Sequence, residues 1–307
     1  MSAVSSTLTP QQEAAHYAGI GGSMAPAILG LDPFKTPLDA YNQLTDPSTR
    51  PDLSNNQIVQ SGVYLEDGIR RFASDQLGKE IHQSHKTLTH PDCPFMVAHI
   101  DGRIVGERAG FEAKNRGFFR GKEYGQQGTD QVLDSELIQT MHYMAVTNYQ
   151  RFYLGVLIGG QELRLFTIER DEDLIKTIIE KERHFWQEHV QKRVPPAPTT
   201  LGDIKQLYPC DTGEIVTVSG EVQEAIQGIK TLKQQIKELK QKHDELELVI
   251  KTEVADASVL TDHTGVTLAT WKAQTTNRLD QKSLKAKHPD ICKEFMNQSS
   301  SRVLRIK

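Results

Sequence analysis

The chain has 307 residues, of which 37% are hydrophobic and 25% charged, and a formal net charge of −4. That length suits one large domain and a smaller one. No apolar run reaches the roughly 20 residues of a membrane span, and a chain of this net charge is not a simple basic nucleic-acid binder.

The charge is uneven. Residues 220–307 hold 15 Lys and Arg against 12 Asp and Glu, and the acidic excess lies in the remainder. Acidic residues that bind a cation do not oppose DNA, because a divalent ion reverses the local potential. The opening MSAVSSTLTPQQEAAHYAG lacks a basic start followed by an apolar core, so no secretory leader is expected. Cys93, Cys210 and Cys292 lie far apart. This fits a reducing cytoplasm, of a bacterium or a phage-infected host, better than a disulfide framework. Three cysteines cannot furnish a four-thiolate iron–sulfur cluster.

In chain order, Ile20–Gly30 reads as a glycine turn into a short helix, with Ser23 as N-cap and Gly30 as the stop. Thr36-Pro37 begins a second helix. A helical pattern over Gly62–Leu77 ends at Gly78. Residues 94–116 carry short apolar runs cut by Asp-Gly and Ala-Gly, which is hairpin grammar. Strands are expected near 95–100, 102–106 and 109–114. A helix at 135–146, strands at 152–158 and 162–168, and a helix at 171–191 follow, ending before Pro195-Pro196-Ala197-Pro198. Beyond this, Val222, Ala225, Ile229, Leu232, Ile236, Leu239, His243, Leu246 and Ile250 alternate by three and four. That is a heptad seam, for a coiled coil, an arm folded back on itself, or a helix packed on the body. From Asp256 onward the chain is basic.

The chemistry centres on Asp101, Glu112 and Lys114. Residues two apart on a strand share a face, so Glu112 and Lys114 project together while Ala113 turns into the core. Asp101, at the start of the preceding hairpin, can reach the same edge. Two carboxylates make a hard oxygen site for Mg²⁺ or Mn²⁺ rather than zinc. A lysine beside them can orient a water or offset charge on phosphate. The spacing alone is common on exposed strands.

Its company is more specific. IGGS at 20–23, GVYLEDGIRRF with Glu66, HPDCPFMVAHIDG ending in Asp101–Gly102, FEAK at 111–114, Gln139-Thr-Met-His-Tyr143 and FWQEHVQKRVPP at 185–196 occur in that order. Together they resemble the YqaJ-like viral recombinase and lambda-exonuclease-type nucleases. The resemblance implies an α/β restriction-endonuclease-like core, a central mixed sheet flanked by helices, over residues 1–197. A linker at 198–220, a heptad helix at 221–252 and a small basic module at 253–307 would follow. It implies metal ligation by Asp101, Glu112 and the Ala113 carbonyl, with Glu66 assisting. Lys114 and Gln139 would be catalytic, and Ser23 and Tyr143 would contact DNA. The implied substrate is linear double-stranded DNA, degraded 5′ to 3′ for a single-strand annealing protein, and the implied assembly is a homo-oligomer, a trimer in the lambda type.

The sequence also departs from the family. Met24 stands where many members carry aspartate, and His16 where the lambda branch has a phosphate-binding arginine. Tyr124 is the nearest aromatic to the usual tryptophan after the lysine, and Leu133 and Glu136 replace a Pro-x-x-Tyr. An endonuclease, a nuclease of other polarity, and a non-catalytic DNA-binding adaptor are the competing readings. His82, His85, His90, His99 and Cys93 are too irregularly spaced to read as a zinc site, and His142 reads as an ordinary helix residue.

Overall fold

The computed structural model describes residues 17–306 apart from Ser54, His85, Gln298 and Ser299. His16 and His85 therefore lie outside the described residues. The chain divides into two compact units, one ending at Ile204 and one beginning at Lys205.

The first unit opens with β1 (Ile20–Gly21) and α1 (Ala25–Ile28). Here one expectation fails. Met24, not Ser23, is the N-cap, and no side chain caps the helix. Gly30 does end the turn, at φ 75°. Next, α2 (Pro37–Thr45) carries a full capping box, with Thr36 and Asp39 bonding reciprocally and Pro37 in the first turn. Helix α3 (Gln57–Leu77) starts five residues before the apolar periodicity does. The Asn56 side chain accepts from the Ile58 and Val59 amides, which begins the helix among exposed residues. Gly78, left-handed at φ 63°, ends it.

Strands β2 (Ile81–Gln83), β3 (Leu88–Thr89), β4 (Met96–Ala98), β5 (Gly102–Ile104) and β6 (Ala109–Arg116) follow. The expected strand near 95–100 is real, but β4 joins a separate three-stranded sheet with β1 and β3. The short α4 (Phe118–Gly121) and α5 (Asp134–Thr147) lead to β7 (Arg151–Ile158) and β8 (Glu162–Glu169). The main sheet has the order β2-β5-β6-β7-β8, with only β6 and β7 parallel. Parallel neighbours need a crossover, which α5 supplies.

Each face has its own core. On β7, Phe152, Leu154, Val156 and Ile158 pack with α5, whereas Tyr153 and Leu157 pack with Ile69 and Ala73 of α3. On β6, Ala109, Phe111 and Ala113 belong to the α3 side. Glu112 and Lys114 consequently point to the α5 side. A fully buried Phe or Leu stabilises by about 1.5–3 kcal/mol, so register here is strongly held.

Helix α6 (Glu172–Phe185) is capped by Asp171, with acidic residues in the first turn and Arg183 and His184 in the last. It widens to a π-helix over Trp186–Gln191, where Trp186 stacks on Phe95 at 5.8 Å. The stretch expected to be a linker from 198 contains α7 (Leu201–Leu207). Asp203 is buried and accepts from Thr199, Thr200 and Thr36, binding this stretch to the cap of α2.

The second unit is dominated by α8 (Gly220–Val254), followed by a hairpin of β9 (Val259–Thr261) and β10 (Thr267–Thr270) and two short helices, α9 (Gln281–Lys287) and α10 (Pro289–Glu294).

His142 is more than an ordinary helix residue. It is fully buried, bonds Glu182 at 2.8 Å through Nδ1 and donates to the Val97 carbonyl through Nε2 at 2.9 Å. Since a carbonyl oxygen only accepts, Nε2 carries a proton. One residue thus joins α5, α6 and β4. Removing one member of a buried pair leaves the other without compensation. Glu182→Ala is expected to lower unfolding stability by about 3–5 kcal/mol, read as a shift in urea midpoint at unchanged slope.

Candidate active site

Strand β6 carries Glu112 and Lys114 side by side, and α5 lies over them with Gln139 and Tyr143 one turn apart. Lys114 Nζ donates to Glu112 Oε1 at 2.7 Å and to Gln139 Oε1 at 2.9 Å. Gln139 Nε2 donates to Glu112 Oε1 at 2.8 Å and to the Tyr143 hydroxyl at 2.8 Å. Gln139 therefore grips both members of the Glu112–Lys114 pair with its two ends.

Asp101 lies just before β5. Its Oδ2 accepts from the Ala113 amide at 2.8 Å. Pairing of β5 with β6 runs only over Gly102–Phe111 and Arg103–Gly110, so at Ala113 the Asp101 side chain replaces the ladder. In a strand the amide and carbonyl of one residue leave on the same side. The Ala113 carbonyl is thereby turned toward the Asp101 side of β6. Glu66, on α3, joins electrostatically, since its carboxyl is raised first by burial and then by the charge of Glu112.

Burial pushes the Asp101 carboxyl up to about 6, reinforced by Glu66. Burial likewise pushes Glu112 up to about 8, reinforced by Asp101. For Lys114, burial favours loss of the proton, but the charges of Glu112 and Asp101 outweigh it and hold the ammonium above its ordinary range. Glu112 and Lys114 thus both retain protons although they touch. The lysine charge is the firmer, because it answers two carboxylates. The protonated Glu112 relieves the excess negative charge. Were all three carboxyls ionised, they would leave a formal charge of minus two against one ammonium, which the proton held by Glu112 reduces.

A divalent cation fits this set. Glu112 Oε2 is buried and has no hydrogen-bond partner among the described residues, and the donors are hard oxygens. A cation would satisfy that atom and cancel the residual charge, which a further hydrogen-bond donor alone would not do.

The structure brings Asp101, Glu112, Ala113, Lys114 and Gln139 together, with Glu66 within electrostatic reach. Tyr143 is only 4% exposed. A ring so enclosed cannot lie on a DNA backbone, and its hydroxyl holds Gln139 instead. Its surroundings explain the IGGS segment. A Cβ on Gly22 would come within 2.4 Å of the Tyr143 ring, so only glycine passes there. Ser23, the next residue, is exposed. The Met24 amide donates to the Gly21 carbonyl at 2.8 Å, so it turns inward rather than toward a ligand.

Sequence reasoning missed the function of Tyr124 and Glu136. The Tyr124 hydroxyl donates to Glu136 Oε1 at 2.6 Å, and Arg116 bonds the same oxygen at 2.7 Å. The two departures from the family pattern are thus partners of each other, and they fasten the end of β6 to α5. His90 Nδ1 accepts from the Asp92 and Cys93 amides, His82 bonds Glu80 and His99 bonds Thr87, so these histidines serve separate local contacts.

The mixed sheet flanked by helices, with Glu112 and Lys114 on one strand and Asp101 at the adjoining hairpin, defines a restriction-endonuclease-like core. Residues 13–150 match the YqaJ-like viral recombinase domain. The chain is 32% identical over 296 residues to the uncharacterized protein YqaJ of Bacillus subtilis strain 168, covering 94% of this chain and 91% of that protein. The chain belongs to the YqaJ-like viral recombinase family. An alkaline exonuclease from Laribacter hongkongensis shares the fold, with a TM-score of 0.50 and 17% identity over 61% of this chain and 94% of that one. A phage-related exonuclease from Haemophilus somnus 129PT matches at TM-score 0.43 and 13% identity, over 57% of this chain and 96% of that one.

Raised carboxyl pKa values make stability depend on pH. A carboxyl whose folded pKa exceeds its unfolded one binds protons better when folded. Its contribution is full below pH about 4 and is lost as pH rises through about 6 for Asp101 and about 8 for Glu112. Metal-free protein is therefore expected to melt at a lower temperature at pH 8.5 than at pH 5. Glu112→Gln should flatten that dependence, and Mg²⁺ should raise the melting temperature more at pH 8.5 than at pH 5. Equal melting temperatures at both pH values without metal would contradict this electrostatic account.

Proposed function

We propose that this chain is a Mg²⁺- or Mn²⁺-dependent exonuclease of linear double-stranded DNA. It removes the 5′-ended strand and leaves a 3′ single strand for an annealing protein in phage-type recombination. The observation that carries the reading is Glu112 Oε2, buried without a hydrogen-bond partner among the described residues, on a carboxyl under the charges of Asp101 and Lys114. Membership of the recombinase family supports the substrate class, and the fold shared with an alkaline exonuclease supports hydrolysis.

Asp101, Glu112 and the Ala113 carbonyl would hold the ion, with Glu66 assisting directly or through water. A bound divalent ion supplies Lewis acidity, which lowers the pKa of water and offsets charge on the scissile phosphate. Lys114 has three N–H donors, two of them taken by Glu112 and Gln139. The third can donate to the attacking water or to a phosphate oxygen, where negative charge builds. The water oxygen bonds to phosphorus and gives up a proton to solvent, the bond from phosphorus to the leaving sugar oxygen breaks, and that oxygen takes up a proton from solvent. Gln139 fixes Glu112 and Lys114 relative to each other, and Tyr143 fixes Gln139. Ser23, which is exposed, would meet a backbone phosphate.

Purified protein with Mg²⁺ is expected to degrade end-labelled linear duplex and to spare closed circular DNA. Release of label from the 5′ end before the 3′ end would establish polarity. Cleavage of the circle would favour the endonuclease reading, and binding without cleavage the adaptor reading. Asp101→Ala, Glu112→Ala and Lys114→Ala should each reduce hydrolysis by at least about 10²-fold. Gln139→Ala, which removes a positioning contact, should cost about 10- to 100-fold. Full activity of Glu112→Ala in saturating Mg²⁺ would overturn the site.

A further inference from the structure

Residues 112, 114 and 116 take alternate positions of β6, so Arg116 shares the face of Glu112 and Lys114. Its backbone is fixed there. It pairs with Ile158 of β7, and its carbonyl accepts from the Gly159 amide at 2.9 Å. At roughly 3.3 Å per residue, its Cα lies about 6.6 Å along the strand from that of Lys114.

The side chain is held by a carboxylate that it does not saturate. Arg116 Nε and Nη2 converge on one oxygen, Glu136 Oε1, at 3.2 and 2.7 Å. The Tyr124 hydroxyl donates to that same oxygen at 2.6 Å. Glu136 Oε2 is buried and has no hydrogen-bond partner among the described residues. A guanidinium in the fork-to-fork arrangement takes both carboxylate oxygens with parallel N–H bonds. Arg116 is set off that arrangement, and its Nη1 donates instead to the Asn115 carbonyl at 3.2 Å. An arginine has five N–H groups. One on Nη1 and one on Nη2 therefore have no acceptor among the described residues. The Glu136 side chain is 3% exposed and that of Arg116 32%, so the carboxylate is enclosed while the guanidinium reaches the surface.

The geometry points to Arg116 as a binding residue for a second DNA phosphate, the one adjoining the phosphate that is cleaved. The inference rests on the DNA hydrolysis proposed above. In that reaction Lys114 faces the scissile phosphate, and the next phosphate lies one nucleotide further along the strand. Two residues of β6 span a comparable length. The planar guanidinium offers two N–H groups to two phosphate oxygens, a match that a lysine point charge does not make. Arg116 is also ordered in advance by Glu136, Tyr124 and the Asn115 carbonyl, so little side-chain freedom remains to be lost when phosphate arrives. A cation at this point offsets the carboxylates of the site, which would otherwise repel the strand.

The test measures binding of the full chain to a fluorescein-labelled linear duplex by anisotropy, in Ca²⁺ and over a range of salt concentrations. Glu136→Gln removes the carboxylate charge and keeps the guanidinium. Adding Arg116→Gln then removes the guanidinium without stranding a buried carboxylate. The double variant is expected to bind about 10- to 100-fold more weakly than Glu136→Gln, as for loss of a charged hydrogen bond. Its plot of log affinity against log salt is expected to be shallower by about one unit, the signature of one phosphate contact, which a purely structural tether would not move. Arg116→Lys leaves Glu136 paired and decides the matter if the double variant does not fold. It is expected to keep the salt slope and to bind several-fold more weakly than the parent, because the fork is lost. A loss confined to 5′-phosphorylated duplex would assign Arg116 to a terminal phosphate, and an equal loss on 5′-hydroxyl duplex to an internal diester. Equal salt slopes for Glu136→Gln and the double variant, or parental affinity in Arg116→Lys, would overturn the inference and leave the nuclease reading intact. Absence of duplex binding by the parent chain would overturn both.

Discussion

Burial of three carboxylates around one ammonium is the constraint on which the rest of this protein turns. Asp101 and Glu112 are driven toward their protonated forms by the apolar core that encloses them. Lys114 restrains that drive without cancelling it. The surrounding polar groups share a common orientation as a result. Gln139 can satisfy Glu112 and Lys114 only with its amide turned one way, and Tyr143 then receives its remaining hydrogen. A site so poised accepts a dication more readily than a rearranged hydrogen-bond network, because the missing element is charge.

The sheet delivers this geometry through one unusual pairing. β6 and β7 are parallel, so the chain must cross over between them, and α5 makes that crossing above the Glu112 face. Had the two strands formed a hairpin, Gln139 would not lie over Lys114. The crossover is pinned at both ends. His142 and Glu182 lock α5 to α6, and Glu136 with Arg116 and Tyr124 locks it to the end of β6. In this chain the substitutions at Tyr124 and Glu136 form a buried network of their own, so the family pattern is altered there without loosening the strand that carries the site.

The two units are built on different principles. The first encloses two cores, one on each sheet face. In the second, the long helix has a regular stripe and almost no burial of its own, with Val254 the buried hydrophobic at its end. Such a stripe gains stability only from another surface.

Much of the fold was legible from the chain alone. Gly78, Thr36-Pro37 and the Gly159-Gly160 turn between the strands expected at 152–158 and 162–168 act locally, so their elements appeared where expected. The linear motifs also placed Glu112 and Lys114 together on one strand, because a two-residue spacing has one meaning in an extended chain, and set Asp101 at the start of the preceding hairpin. Local grammar failed where long-range contacts decide. The start of α3 rests on an asparagine cap among exposed residues, and β1 exists only by pairing with β4, 76 positions away at Ile20 and Met96. The burial of Tyr143 beneath Gly22, the bond from His142 to Glu182 and the Tyr124–Glu136–Arg116 network join residues from separate elements. The sequence by itself determined the site's ingredients and most helix and strand periods, since these depend on neighbours one to four residues apart. Only the tertiary structure decided which of those side chains are buried together, and burial is what turns ordinary carboxylates and a lysine into a charged pocket that fits a divalent ion.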